Sequence, residues 1–177
     1  MEKQTGFTLA ELLIVLVVIC LIAAIVFPNL LRSRVAAGEA AAISSVREIN
    51  KAEVSYETTY PALGFAGTLG SLGPGTAKLS CHARSPEHAC LLDPKLSVAN
   101  TPEHSRNGYW FAVTPAGKDA SGVVDGYIVG SAATIYNQTG VRDFCSTEDG
   151  VLHFRVPHQQ SSPVTTLSEC HNQAVLQ

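Results

Sequence analysis

Residues 12–27 read LLIVLVVICLIAAIVF, a stretch without a charged or strongly polar side chain. A surface helix of a soluble protein carries polar residues on one side, so this run needs an apolar environment all round. With residues 7–10 and 29–31 it is long enough to cross a hydrocarbon layer of ~30 Å at ~1.5 Å per residue. The segment can therefore span a membrane, as a cleavable signal peptide, as a permanent anchor, or as a helix that later serves another purpose.

The composition narrows the class of protein. The 177 residues are 46% hydrophobic and 15% charged, which excludes a collagen-like or disordered chain. Twelve lysines and arginines stand against fifteen aspartates and glutamates. This balance leaves no obvious excess of positive charge for a continuous phosphate-contacting surface, so nucleic-acid binding is not predicted as the main activity, although the composition does not exclude a local basic patch. The length predicts about one domain.

Glu11 lies inside the apolar zone, where a carboxylate costs on the order of a few kcal/mol and therefore predicts a function and a cationic partner. The nearest basic residues are Lys3 and Arg32, and Arg32 is too far along a helix to reach it. A cut between Gly6 and Phe7 would supply the partner, because it creates a new α-amino group that is largely cationic near neutral pH. The amine of one subunit could then neutralise Glu11 of another subunit.

Residues 6–15, GFTLAELLIV, resemble the class III signal sequence of type IV pilins and of the related pseudopilins of type II secretion systems. The resemblance implies that a prepilin peptidase cuts after Gly6 and methylates the new amine of Phe7. It also implies that Glu11 guides each subunit into a growing filament and that Pro28 interrupts the long helix. The match is specific over about residues 5–34. The structural alternative is an ordinary anchor with an interfacial Glu11 and with Pro28 as a helix terminator.

The resemblance also gives a domain plan. Residues 1–6 would be the leader, 7–34 a transmembrane and filament-core helix, 35–60 its amphipathic continuation, and 61–177 a globular head. The head would consist of a connecting loop region at 61–108, followed by an antiparallel sheet and a C-terminal disulfide loop at 109–177.

The continuation of the helix shows one apolar stripe, because its apolar residues recur at spacings of three and four. These residues are Ile43, Val46, Ile49, Ala52 and Tyr56. The charged residues, Glu53 among them, are expected mostly on other faces. Such a stripe predicts that this part of the helix packs on a sheet, and Pro61 predicts where the helix ends.

Strand signals occur at residues 109–113, 126–132 and 151–156, and Asp149-Gly150 is typical of a hairpin turn before the last of them. In that last strand His153 and Arg155 alternate with apolar residues, which predicts one solvent-exposed face. We therefore predict an α+β fold of the pilin type. A long N-terminal hydrophobic helix, kinked near Pro28, would pack on a small antiparallel sheet of three or four strands.

The five cysteines divide by location. Cys20 lies in the apolar run and is expected to be a small apolar filler. The other four form an even set in a domain expected outside the cytoplasm, which predicts disulfides, although the sequence alone admits three connectivities. We expect local pairs, Cys81 with Cys90 and Cys145 with Cys170. The second pair would resemble the C-terminal disulfide loop of many type IV pilins.

No cofactor or metal is predicted. Cys81, His82, His88 and Cys90 could surround zinc, but their spacing is not that of a zinc finger, so a disulfide is favoured. Major pseudopilins, which this chain resembles, carry calcium in the loops of the head, yet the aspartates expected in loops here lack a recognisable spacing of oxygen ligands. These residues are Asp119, Asp125, Asp143 and Asp149. Calcium binding is therefore left open, with turn residues as the favoured interpretation.

No catalytic motif is present in the sequence, so we predict a structural protein and not an enzyme. The predicted function is that of a subunit of a type IV pilus-like extracellular filament, located in the inner membrane before assembly. Its partners would be identical subunits in a helical homopolymer, the prepilin peptidase, and an inner-membrane assembly platform with an ATPase motor. The alternatives are the major pseudopilin of a type II secretion system and a membrane-anchored periplasmic enzyme or binding module.

Overall fold

The computed structural model describes residues 7–75, 81 and 84–176. The chain divides into two compact units, Met1–Arg34 and Val35–Gln177, and helix α1 contributes residues to both. The helices are α1 (Leu9–Thr59), α2 (Pro94–Ser97) and α3 (Leu167–His171), with 3-10 turns at Leu69–Leu72 and Pro102–His104. The strands are β1 (Tyr109–Gly117), β2 (Gly126–Ala133), β3 (Asp143–Thr147), β4 (Leu152–Arg155) and β5 (Ala174–Val175).

Helix α1 confirms the predicted long helix, which ends at Thr59, just before Pro61. Within the first unit nearly all of the apolar side chains that the structure describes are exposed. In the described part of the chain it is the one helix long and apolar enough to cross a membrane. The helix continues through position 28, although proline cannot donate a backbone hydrogen bond there. The kink near Pro28 stays a prediction.

In the second unit, α1 packs on one face of the sheet through the predicted apolar stripe. Val46, Ile49, Ala52 and Tyr56 are buried, whereas Ile43 is partly buried at the edge of the core. On the sheet side the core contains Tyr109, Phe111, Val113, Tyr127, Val129 and Phe144. Burial of each large apolar side chain contributes roughly 1.5–3 kcal/mol, so this layer supplies much of the stability of the head.

The sheet has five antiparallel strands in the order β1-β2-β3-β4-β5, so each strand pairs with its neighbours in sequence. The predicted α+β class is confirmed, but the sheet is larger than the three or four strands expected. One unassigned strand is β3, all of whose residues are buried although three of the five are polar. The other is β5, whose two residues are too few to produce a sequence pattern. The predicted connecting region 61–108 also contains α2 and the two 3-10 turns.

The second face of the sheet is covered by the C-terminal segment, residues 157–171. Val164 lies directly over Gly130 of β2, where a Cβ atom would come within 2.6 Å of the Val164 backbone nitrogen. Glycine is therefore required at this point of close approach. His153 is buried under the same segment and Arg155 is only partly exposed. The predicted solvent-exposed face of the last strand was wrong, because a segment without regular strand pattern covers it.

Candidate assembly site

The first turn of α1 is closed by a capping box. Thr8 precedes the helix, and both its backbone N–H and its hydroxyl donate to Glu11 Oε2, at 2.9 and 2.8 Å. In return the Glu11 N–H donates to Thr8 Oγ1 at 3.3 Å. Threonine followed three residues later by glutamate forms this reciprocal arrangement at helix N-termini, where backbone N–H groups lack partners within the helix. The negative carboxylate is also favourable near the positive end of the helix dipole.

The geometry leaves Glu11 able to bind a further donor. Both side-chain hydrogen bonds from Thr8 end on Oε2, and the hydrogen bonds of the described residues include none to Oε1. A carboxylate offers about four acceptor positions, so roughly half of its capacity stays open. The side chain is exposed. An ammonium group from outside the subunit can therefore reach it without breaking the capping box.

The predicted processing site lies next to this box. Phe7 is 82% exposed and precedes the first helical residue. Gly6 and the rest of the predicted leader lie outside the described residues. A chain that begins at Phe7 would carry its amine one residue before Thr8. The structure brings Phe7 and Glu11 into one local region, and Pro28 lies farther along the same helix.

An apolar groove follows on α1. It is lined by Ile19, Ile22, Ala23, Val26 and Leu30, which recur at helical spacing. Ala23 is the small residue in this set, so the larger side chains stand out on either side of it. A helix that is apolar all round is stable only in lipid or against other apolar helices. The groove is thus suited to contact with lipid or with an apolar helix of another molecule.

In the head, Glu39 holds helix α1 to the start of β3. Its Oε1 accepts from the backbone N–H groups of Val141 and Arg142 at 3.0 and 3.1 Å. Its Oε2 accepts from the Arg142 guanidinium, with Nη2 at 2.6 Å. The same guanidinium lies over the rings of Phe144 and Phe154, 5.7 and 5.6 Å from their centres. Glu39 is buried, and its charge is compensated in full by these donors.

Glu53 is a second buried acid, and here the sequence prediction was wrong. It was expected mostly on another face, yet it has no exposed surface. Its Oε2 accepts from the Ala66 N–H at 2.8 Å, while Oε1 has no hydrogen-bond partner among the described residues. Burial raises the pKa of this carboxyl to about 8, against the opposing effect of the Ala66 hydrogen bond. Glu53 lies four residues after Ile49 and three before Tyr56, so spacing alone could have placed it on the buried stripe.

The cysteines of the head form two local disulfides. Cys81 is bonded to Cys90, and Cys145 of β3 is bonded to Cys170 of α3. Cys81 and Cys90 were the two thiol ligands of the zinc site considered above. Because they are bonded to each other, they are not available as thiolate ligands for zinc. The second attaches the C-terminal segment to the sheet and joins two cysteines that are 25 residues apart in the sequence. Cys20 is a free cysteine on the exposed apolar helix.

Two of the loop aspartates that were considered as calcium ligands accept hydrogen bonds within their own turns. Asp119 Oδ1 accepts from the N–H groups of Ser121 and Val123, at 2.8 and 2.9 Å. Asp149 Oδ1 accepts from the Thr147 hydroxyl and the Val151 N–H, at 2.9 and 2.8 Å. These contacts fix the two hairpin turns, which is the usual role of aspartate at such positions.

These features define a class of protein: a subunit with an apolar N-terminal helix, an acid in its first turn and a disulfide-bonded α+β head. The comparisons with known proteins point to the same class. The prokaryotic N-terminal methylation motif matches residues 1–27. The type IV wide pilus major component PilA4 of Thermus thermophilus is 31% identical over 122 residues, which cover 65% of this chain and 85% of that protein. No solved structure shows a significant match.

The chain belongs to the type IV pilin family. It is a pilin-like structural subunit, as the methylation motif and the relative both indicate. The match to a pilus component favours this role over a type II secretion pseudopilin and over an anchored enzyme or binding module. A similar subunit that forms a pilus also favours a membrane-anchored precursor and an extracellular product.

Proposed function

We propose that this chain is the structural subunit of a type IV pilus-like extracellular filament, built after removal of residues 1–6. The observation that carries the proposal is Glu11, an exposed acid in the first turn of α1 directly before the apolar run 12–27, with one carboxylate oxygen open. Cleavage after Gly6 gives a subunit that begins at Phe7. Its methylated amine is the cation that this oxygen is placed to bind.

Assembly would transfer residues 7–34 from the bilayer into a bundle of like helices. The apolar groove of one helix would then be filled by a neighbouring helix, which replaces lipid contacts with packed side chains. In this dry environment Glu11 of one subunit would meet the Phe7 amine of another. Each charge offsets the desolvation cost of the other, and a subunit in the wrong register leaves Glu11 unpaired. The pair therefore selects the register of the helices.

The remaining proposed parts follow from this route. A prepilin peptidase would cut and methylate the precursor in the inner membrane, and a platform with an ATPase motor would supply the energy for extrusion. Pro28 would permit a local loss of helical hydrogen bonds within the filament core, because its ring removes one donor. The two disulfides are suited to a head that functions outside the cytoplasm, where such bonds persist.

The first experiment is intact mass measurement and N-terminal sequencing of the protein in filaments sheared from its native host. We expect a chain that starts at methylated Phe7. An unprocessed chain that starts at Met1 and stays in the membrane fraction would refute the proposal.

A variant tests the role of Glu11 separately. Glu11→Gln retains the shape of the side chain and its hydrogen bonding to Thr8 but removes the negative charge. We expect the subunit to be cut at Phe7 and to remain in the membrane, with at least tenfold less protein in the sheared fraction. Glu103→Gln, an exposed acid of the head, is the matched control and should assemble normally. Normal assembly of Glu11→Gln would contradict the pairing with the Phe7 amine.

A further inference from the structure

The outer face of α1 in the head carries two exposed cations and an exposed apolar residue. Arg47, Lys51 and Val54 follow one another at spacings of four and three, opposite the buried stripe. We call these three residues the basic helix face. Arg47 and Lys51 are like charges one turn apart, which is slightly unfavourable in an isolated helix. Neither forms an ion pair within the described ranges. Val54 is 53% exposed between them and the end of the helix.

Two hydroxyl side chains beside this face donate hydrogen bonds to backbone carbonyl groups of the helix itself. Ser55 Oγ donates to the Lys51 carbonyl at 2.9 Å, and Thr58 Oγ1 donates to the Val54 carbonyl at 2.7 Å. They therefore offer no strong polar group to satisfy the cations. The basic helix face is an unpartnered helix surface whose chemistry calls for a carboxylate-bearing partner with a small apolar contact.

The same head carries exposed acids at the C-terminal end of the helix. Glu39 binds the start of β3 and Asn50 Nδ2 donates to Ser146 Oγ at 2.8 Å, so α1 and β3 run in the same direction. The end of α1 and the β3–β4 turn consequently lie together. We call Glu57, Glu148 and Asp149 the acidic end; all three are exposed.

Tyr127 of β2 lies within electrostatic reach of all three acids. Burial raises the pKa of its hydroxyl most, followed by the nearby carboxyl group of Glu53 and then by those of Glu148, Asp149 and Glu57. Among the residues that the structure describes, none of the three acids has a cationic partner within ion-pair distance. The head thus presents unpaired negative charge at the end of the helix and unpaired positive charge one to three turns earlier.

We propose that the basic helix face of one subunit docks against the acidic end of a second copy of this chain. The proposal rests on the filament function proposed above and names the head contact within it. The two surfaces are different and both lie on one head, so the contact is heterologous. In a pair joined in this way, one subunit keeps a free acidic end and the other keeps a free basic helix face, so a further copy can be added at either end. A displacement along the helix axis at each step prevents ring closure, and the contact then propagates as an open helical polymer.

The spacing of the charges sets the displacement of the two copies. Six residues separate Lys51 from Glu57 and ten separate Arg47 from Glu57. At ~1.5 Å per residue, a copy shifted by about 9–15 Å along the helix axis brings acids beside bases. A copy with no shift would place like charges side by side, so the electrostatics also disfavour an unstaggered pair.

The test is a charge swap in the full chain expressed in its host. Arg47→Glu with Lys51→Glu should lower the protein in sheared filaments at least tenfold, and Glu57→Lys with Glu148→Lys should do the same. Asp149 is left unchanged because it fixes its turn. The chain with all four substitutions should recover most of the loss, since the attraction is restored with its signs exchanged.

The matched control is Arg84→Glu with Lys95→Glu, which changes the net charge equally at two other exposed bases; it should assemble normally. Assembly of the Arg47 and Lys51 variant at the wild-type level would overturn the contact, as would failure of the fourfold variant to recover. An unaltered chain that forms no filaments would overturn the proposed function as well. An electron-microscopy structure of the assembled filament should also place Lys51 of one subunit within ion-pair distance of Glu57 or Glu148 of another.

Discussion

Replacing Glu53 by glutamine should remove the loss of head stability that ionisation of this residue causes between pH 4.5 and about 8. The folded protein retains the Glu53 proton until about pH 8, whereas the unfolded chain releases it near 4.5. Between these values the folded state binds one more proton than the unfolded state. The free energy of unfolding therefore falls as the pH rises, and the contribution that is fully present below 4.5 is lost above 8.

The magnitude follows from the size of the shift. One pKa unit is worth about 1.4 kcal/mol, so a rise from 4.5 to about 8 corresponds to roughly 5 kcal/mol of unfolding free energy over this window. Glutamine has nearly the shape of the protonated acid and can retain the Ala66 hydrogen bond. The variant should match the wild type near pH 5 and exceed its stability by several kcal/mol at pH 9, on the same linkage argument.

The assay is denaturant unfolding of the full chain in detergent between pH 5 and pH 9.5. Trp110 is the sole tryptophan and lies in β1, so its fluorescence reports on the head. Glu57→Gln is the control, because Glu57 is an exposed acid one turn farther along the helix; it should retain the wild-type slope. A Glu53→Gln chain with an unchanged pH slope would refute the assignment, and so would loss of the slope in the control.

Two further substitutions test the contacts of the sheet with α1 on one face and with the C-terminal segment on the other. Glu39→Ala leaves the Arg142 guanidinium and two backbone N–H groups without their acceptor, and should cost about 3–5 kcal/mol of unfolding free energy by Trp110 fluorescence. Gly130→Ala places a methyl group against the Val164 backbone and should cost about 1–3 kcal/mol or more, as overpacking does. A loss below about 1 kcal/mol in either case would contradict the packing described.

The sequence predicted the helix well because both halves of α1 carry a strong periodic signal. The apolar run defines the first half, and the stripe ending at Tyr56 with Pro61 beyond it defines the second. The first-turn acid could also be identified, because a glutamate in an apolar run stands out by composition alone. Its capping partner Thr8 was not predicted, although a threonine three residues before a glutamate is the sequence signature of a capping box.

The sheet and the buried acids were harder to predict for a physical reason. β3 is polar in sequence, and its burial depends on the C-terminal segment that covers one face and on α1 that covers the other. Glu39 and Glu53 accept hydrogen bonds from backbone N–H groups of remote loops, at Val141 and Ala66. Local patterns carry no information on such partners. Helical spacing can place an acid on a buried face, but only the tertiary structure shows what stabilises it there.

Three glutamates of α1, namely Glu11, Glu39 and Glu53, show how the local environment alone gives one residue type different roles. Glu39 is buried and has a full set of donors, so it is locked to the head. Glu53 is buried with a single donor, and its raised pKa leaves it neutral at physiological pH. Glu11 is exposed, its Oε2 is held by Thr8, and its Oε1 is open. Of these three acids, Glu11 alone combines exposure with spare acceptor capacity, so it alone can recruit a cation from another subunit. Helix α1 holds five glutamates. Burial withdraws Glu39 and Glu53 from assembly, whereas exposure leaves Glu11 for the contact in the filament core and Glu57 for the proposed contact between heads.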